Sequence, residues 1–331
     1  PAAITGTTNV CAGSSTTLAS TSAGGTWTSV NTAVATVGSA SGVVNGVSAG
    51  TSVISYTLPT GCAITANVTV NPLPAAIAGG GVVCTGSTRA LTDATGGGLW
   101  SSSNITEATV GSTTGIVTGV AAGTPTITYT LPTGCIATTV ITVNTTPVAI
   151  TGTTNTCVGT STLLLDATSG GTWTSSNTAI ATVGSGTGIV GGVTAGSVTI
   201  SYTVAGCFAS TAFTVNPNPS AIAGVFTVCQ GQTVSLTDPT TSGVWSSSIT
   251  TVATIGSATG VVSGILGGTV TITYTLPTGC IATAPFTVNP SPSAISGTAA
   301  ICVGLTTTLT DASSGGTWSS SNSSIASIGS A

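Results

Sequence analysis

The sequence is nearly without charge. Among its 331 residues there is one basic side chain, Arg89, and five acidic ones, Asp93, Glu107, Asp166, Asp238 and Asp311; neither His nor Met occurs. General acid–base catalysis needs a titratable group near the working pH, usually His or a pair of carboxylates, so this inventory argues against an enzyme. Nucleic-acid binding needs phosphate-neutralising Lys and Arg, and one Arg cannot supply them. A net charge of −4 also leaves little long-range steering of charged partners.

Long apolar runs are missing too. Hydrophobic residues make up 40% of the chain and its mean hydropathy is positive, yet no window approaches the ~18 uninterrupted apolar residues of a spanning helix. An outer-membrane barrel alternates apolar and polar residues but carries aromatic girdles and an often charged lumen, whereas aromatics here are 4%. No membrane insertion is expected. With no Met at its start and no leader before Pro1, the chain is expected to be processed or to be a segment of something longer.

What is present is Val, Ile and Ala alternating with Thr, Ser and Gly, the period-two pattern of half-buried strands, and it recurs. The five Trp, at 27, 100, 173, 245 and 318, are spaced by 73, 73, 72 and 73 residues, and each copy opens with P-x-A-I at Pro1, Pro74, Pro147, Pro219 and Pro292. Repeats are therefore expected at 1–72, 73–145, 146–217 and 218–290, with a truncated fifth at 291–331. Within copy one, turn residues separate strand candidates at 3–7, 15–20, 25–29, 33–37, 42–47, 52–58 and 64–70. Seven short strands in about 73 residues point to a small Greek-key sandwich. Alternation places Leu18, Trp27, Val34, Val37, Val44, Ile54, Tyr56, Val68 and Val70 inside. Trp27, Trp100, Trp173, Trp245 and Trp318, with Tyr56, Tyr129, Tyr202 and Tyr274, are the expected aromatic core. The fold class is all-β: a linear tandem array of small immunoglobulin-like Greek-key sandwiches.

The run Trp173-Thr174-Ser175-Ser176-Asn177, followed by Ala181-Thr182-Val183, Gly188-Ile189-Val190 and Ala195-Gly196-Ser197-Val198-Thr199-Ile200, resembles the group 2 bacterial immunoglobulin-like domain. The likeness covers the Trp-to-Tyr half of each complete copy and runs to "IASIGSA" in the fifth. It implies the stalk of a secreted bacterial adhesin. The sequence departs from the better-known adhesins in its scarcity of charge and its two Cys per copy. The paired "VC…GC" placement looks more like the long repeat proteins secreted by gliding, surface-colonising bacteria.

Nine Cys lie at 11, 62, 84, 135, 157, 207, 229, 280 and 302. Neither C-x-x-C spacing nor a His is available for zinc, and no base is available to activate a thiol, so structural disulfides in an oxidising compartment are expected. Cys11 falls between the first two strand candidates and Cys62 in the hairpin between the last two. In an immunoglobulin-type sandwich these loops lie at opposite ends. A strand of six residues spans ~20 Å, whereas bridged Cα atoms lie within about 7 Å. Bridges between successive copies, Cys11–Cys135, Cys84–Cys207 and Cys157–Cys280, are therefore preferred, with Cys62, Cys229 and Cys302 left for copies outside the window. Pairing within a copy, Cys11–Cys62 and its equivalents, stays open.

Other features have plain readings. Asp93, Asp166, Asp238 and Asp311 occupy the repeat position where copy one has Ser20, and one carboxylate per copy is too few for a calcium cage; turn hydrogen bonding is expected instead. "GGG" at Gly79–Gly81 and Gly96–Gly98 lacks the Lys and the following helix of a phosphate loop. No catalytic, cofactor or metal site is expected. The reading is an extracellular or cell-surface structural shaft, in which Pro-containing linkers ("NPLP", "NTTP", "NPNP", "NPSP") limit freedom between copies. The competing reading is a repeat binding module for glycan or ice. Expected partners are further copies of the repeat beyond residues 1 and 331 and laterally associated chains, since little surface charge opposes association.

Overall fold

The structure, a computed structural model, describes residues 1–329. The fifth-copy expectation at 291–331 ends on Ser330 and Ala331, which lie outside the described residues.

In copy one the strands are β1 (Asn9–Cys11), β2 (Ser15–Thr17), β3 (Thr26–Ser29), β4 (Ala35–Val37), β5 (Val43–Gly46), β6 (Gly50–Thr57) and β7 (Ala63–Asn71). One sheet has the order β1-β7-β6-β3 and the other β2-β5-β4. A Thr5–Ala19 bridge adds the chain's first residues to the second sheet. All pairs are antiparallel except β1 with β7, which run parallel. The following three copies repeat these two sheets. This strand order over a shared interior is that of an immunoglobulin-like sandwich, and the chain is a tandem array of them.

The aromatic pair sits at the centre of each interior. Trp27 on β3 is directly opposite Tyr56 on β6, with ring centroids 4.6 Å apart, the closer end of the range favoured by tilted aromatic pairs. The Tyr56 hydroxyl donates to the Ser22 carbonyl at 2.7 Å and accepts from the Gly25 amide at 2.9 Å, so the polar end of a buried ring is satisfied. Tyr129, Tyr202 and Tyr274 make the same two bonds. A Cβ at Gly25 would collide with the Tyr56 ring, which is why the residue before the Thr-Trp pair is Gly. Leu18, Val44, Ile54, Val68 and Val70 close the interior of copy one, each contributing about 1.5–3 kcal/mol of burial.

Three expectations need correction. The segment 3–7 does not form one strand. Gly6 has φ +116° and lies where a Cβ would strike the Thr17 carbonyl; only Gly tolerates that conformation cheaply. There the chain leaves one sheet and resumes as β1 in the other, so Cys11 ends a strand rather than sitting in a loop. Gly79, Gly152 and Gly224 repeat the crossing with positive φ. Second, Ala35 is fully enclosed while Val34 and Val37 are partly buried against the core. A helical turn closed by the Val34 and Ala35 amides on the Asn31 carbonyl sets the phase of β4. Val10, on the resumed first strand, is also buried. Third, Trp318 is half-buried: residues 1–331 include no counterpart of β6 for it to pack on, and among the described residues the fifth copy shows only the Ser296–Gly297 and Leu309–Thr310 pairing.

Candidate functional site: the junctions between copies

The features left over after the core is accounted for lie where one copy meets the next. Because β1 is parallel to β7 and Cys11 pairs in register with Asn71, both strands finish at the end of copy one from which the chain departs. The turn joining the last two strands of a copy lies at the opposite end, since those strands are antiparallel. Successive copies therefore bring a first-strand Cys against a hairpin Cys.

In the structure Cys11 is bonded to Cys135, Cys84 to Cys207 and Cys157 to Cys280, with Cα–Cα distances of 5.7, 5.6 and 5.6 Å, within the ordinary disulfide range. Cys135, Cys207 and Cys280 are almost wholly enclosed. Cys62, Cys229 and Cys302 are exposed and bridge no cysteine among the described residues.

The hairpin that carries the second Cys is shaped by its turn. In copies one, two and four the sequence is Leu-Pro-Thr-Gly-Cys, and Gly61, Gly134 and Gly279 adopt φ of 84–85°. The Leu131 and Gly134 amides donate to the Cys135 and Leu131 carbonyls at 2.9 Å. Copy three is one residue shorter here, which is the source of the single 72-residue Trp interval. Its turn is Ala205-Gly206 with φ of 49° and 84°, the double positive φ of a two-residue type I′ hairpin. The ladder then continues to Val204 opposite Cys207, and the Cys still reaches its partner.

Hydrogen bonds supplement the sulfur. The Asn144 side-chain amide donates to the Ala205 carbonyl across the junction at 2.6 Å, and the Cys207 sulfur lies 3.8 Å from the Asn144 carbonyl oxygen. The linkers are tied back to the copy they leave. The Thr146 amide and hydroxyl bond the Thr85 hydroxyl and carbonyl, and the Asn218 side chain donates to the Val158 carbonyl at 2.9 Å.

Sequence reasoning missed these linker contacts, for which polar residues after each Asn-Pro or Asn-Thr were the available signal. Asp93, Asp166 and Asp238 each accept the amide two residues on at 2.7 Å, an Asx turn. Among the described residues no group of three or more His, Cys, Asp or Glu is assembled. A depression of ≈ 300 Å³ beside the first junction is lined by residues such as Asn9, Ser14, Asn71 and Thr133, which place no acid opposite a base.

The sequence matches no family model and no curated protein. Among solved structures, the chain is similar to domains 1–6 of the surface-layer protein SbsC (17% identity, 86% of this chain and 54% of that one, TM-score 0.21). It is also similar to invasin, a bacterial integrin-binding protein (16% identity, 89% and 81%, TM-score 0.32), and to Drosophila N-cadherin (11% identity, 86% and 98%, TM-score 0.20). The chain spans about half the length of the SbsC structure. The fold assignment rests on the strand order described above.

Proposed function

We propose that the chain is the structural shaft of an extracellular bacterial filament or large surface adhesin, built from group 2 bacterial immunoglobulin-like repeats with boundaries at 1–72, 73–145, 146–217, 218–290 and 291–331. The observation that carries this reading is the bridge from each first-strand Cys to the hairpin of the following copy at three successive junctions. Small sandwiches bury too little surface to be robust alone, and a disulfide adds ~2–4 kcal/mol by restricting the unfolded chain. Bridges placed between copies stabilise the array rather than a lone unit, which suits a protein whose task is length. The setting is oxidising and outside the cytoplasm. The chain is not an enzyme in this reading, because its few titratable side chains are dispersed. The four Trp of the complete copies face inward, so they form no aromatic ladder for a glycan. Outward-facing Ile116, Ile189 and Val261 recur at one repeat position, exposed apolar groups that favour lateral association of shafts.

Small-angle scattering and electron microscopy of the purified chain test this directly. Copies should repeat along one axis at roughly 35–45 Å, the span of six-to-seven-residue strands plus loops and linker. A compact globule would overturn the reading.

A further inference from the structure

We infer that tension along the array is carried by two covalent threads made of last strands, linkers and first strands, leaving the strands between them outside the load path. The inference deepens the shaft reading and rests on it.

The bridges and the intervening chain define the threads. From each hairpin Cys the chain runs through the last strand, the linker and the short first strand of the next copy before reaching another Cys, over residues 62–84, 135–157 and 207–229; from Cys280 it runs through the last strand and linker to Cys302. One thread begins at Cys11, crosses to Cys135, follows the chain to Cys157, crosses to Cys280 and continues to Cys302. The other runs from Cys62 to Cys84, crosses to Cys207 and continues to Cys229. Each complete copy thus contributes its first strand to one thread and its last strand to the other, and the assignment alternates along the array.

Those two strands are the parallel pair of each sandwich. Asn9–Cys11 pairs with Thr69–Asn71, and Gly81–Cys84 with Ile141–Asn144; Asn155–Cys157 pairs with Thr214–Asn216, and Thr227–Cys229 with Thr287–Asn289. Both threads therefore have the same polarity, and load along the array pulls the paired strands in the same direction. The remaining strands, with the Trp–Tyr pair, lie on the segment between a first-strand Cys and a hairpin Cys, and in copies two and three that segment joins one thread to the other. A covalent route that becomes taut first protects such a connecting segment from load. The parallel pairing puts each first-strand Cys at the end where the next copy's hairpin lies, and the alternating bridges then make two threads of one polarity.

Force extension of the 331-residue chain held at its two termini tests the inference. At about 3.5 Å per residue of taut chain, the shortest covalent route gives a limit of about 300 Å in the oxidised protein and about 1,150 Å after reduction, close to a fourfold change. The decisive pair of variants each lacks one bridge. Cys157→Ser with Cys280→Ser cuts the thread that joins the termini and should lengthen the limit to about 650 Å. Cys84→Ser with Cys207→Ser cuts only the other thread and should leave the limit at about 300 Å. The taut limit depends on covalent connectivity, so it is readable even where a variant copy is unfolded. Full extension of the oxidised wild type, or equal lengthening of the two variants, would overturn the threads. Neither result bears on the shaft reading, which stands or falls on the axial repeat.

Discussion

Copies three and five share a nearly common stretch, "GGTWTSSNTAIATVG" at 170–184 and "GGTWSSSNSSIASIG" at 315–329, but they do not share its structure. In copy three it contains the strands Thr172–Ser175 and Ala181–Val183, with Trp173 6% exposed. In copy five it contains no strand; Trp318 is half-buried and Ile325 is 83% exposed. The turns, by contrast, survive. The Ala181 amide donates to the Asn177 carbonyl at 3.1 Å, and the Ala326 amide to the Asn322 carbonyl at 3.2 Å. The Asp166 carboxylate accepts the Thr168 amide at 2.7 Å, and Asp311 the Ser313 amide at 2.6 Å. Bonds that close within four residues need only the local sequence. The ladder needs Gly196–Val204 and Ile189–Gly192, for which residues 291–329 hold no counterpart. Strand propensity here is a fit to neighbouring strands more than a property of the segment.

Replacing the shared Trp should expose that difference most strongly. Trp173→Ala removes a ring packed on Tyr202 at 4.7 Å inside a closed interior and should cost about 3–5 kcal/mol. Trp318→Ala has no such interior to disrupt and should leave the stability of the complete copies unchanged. Native-state hydrogen exchange of strand Thr172–Ser175, measured in both variants, checks the pair. Equal exchange of that strand in the two variants would mean that the Trp173 ring does not hold the copy-three interior together.

The next test concerns the Tyr hydroxyl shared by the four complete copies. Tyr202→Phe keeps the ring but removes the donor to the Thr168 carbonyl and the acceptor for the Gly171 amide. Partly buried groups left unpaired cost about 1–3 kcal/mol, so copy three should lose about that much while copy one, with Tyr56 intact, loses none. A lowered midpoint in denaturant with an unchanged slope would show the loss; an unchanged midpoint would mean that solvent satisfies both groups.

The same division between local and distant interactions decided what could be read from the sequence. Alternation was visible wherever two long strands face each other, so candidates at 52–58 and 64–70 lie on Gly50–Thr57 and Ala63–Asn71. It failed at the first strand because a single Gly6 with positive φ moves the chain between sheets, and nothing in "AAITGTTNVC" except that Gly announces it. It failed at Ala35 because an Ala between Val34 and Thr36 gives little hydrophobic signal. Cysteine spacing alone was compatible with bridges within or between copies. Choosing between them required knowing at which end each Cys lies, and that depends on the parallel pairing of Asn9–Cys11 with the last strand, a contact about 60 residues distant in sequence.

The smallest expected effect concerns the Asp that copies three and five both keep. The second carboxylate oxygen of Asp166 is buried and finds no hydrogen-bond partner among the described residues, as at Asp93 and Asp238. A buried acceptor without a partner is costly, so this turn combines a useful bond with an unfavourable one. Copy one solves the same turn with Ser20, whose hydroxyl donates to the Ala2 carbonyl at 3.1 Å and accepts the Ser22 amide at 3.4 Å. Asp166→Ser should therefore stabilise copy three by about 0.5–1 kcal/mol, a typical net hydrogen-bond contribution, once the orphaned oxygen is gone. Asp311→Ser should not reproduce the gain, because no closed interior surrounds the Asp311 carboxylate. Chemical denaturation of the two variants at neutral pH, followed by the exchange of copy-three amides, measures the difference. A loss of stability in Asp166→Ser would show that the carboxylate contributes more through its single turn bond than its second oxygen costs, and that copies three and five keep Asp for the turn alone.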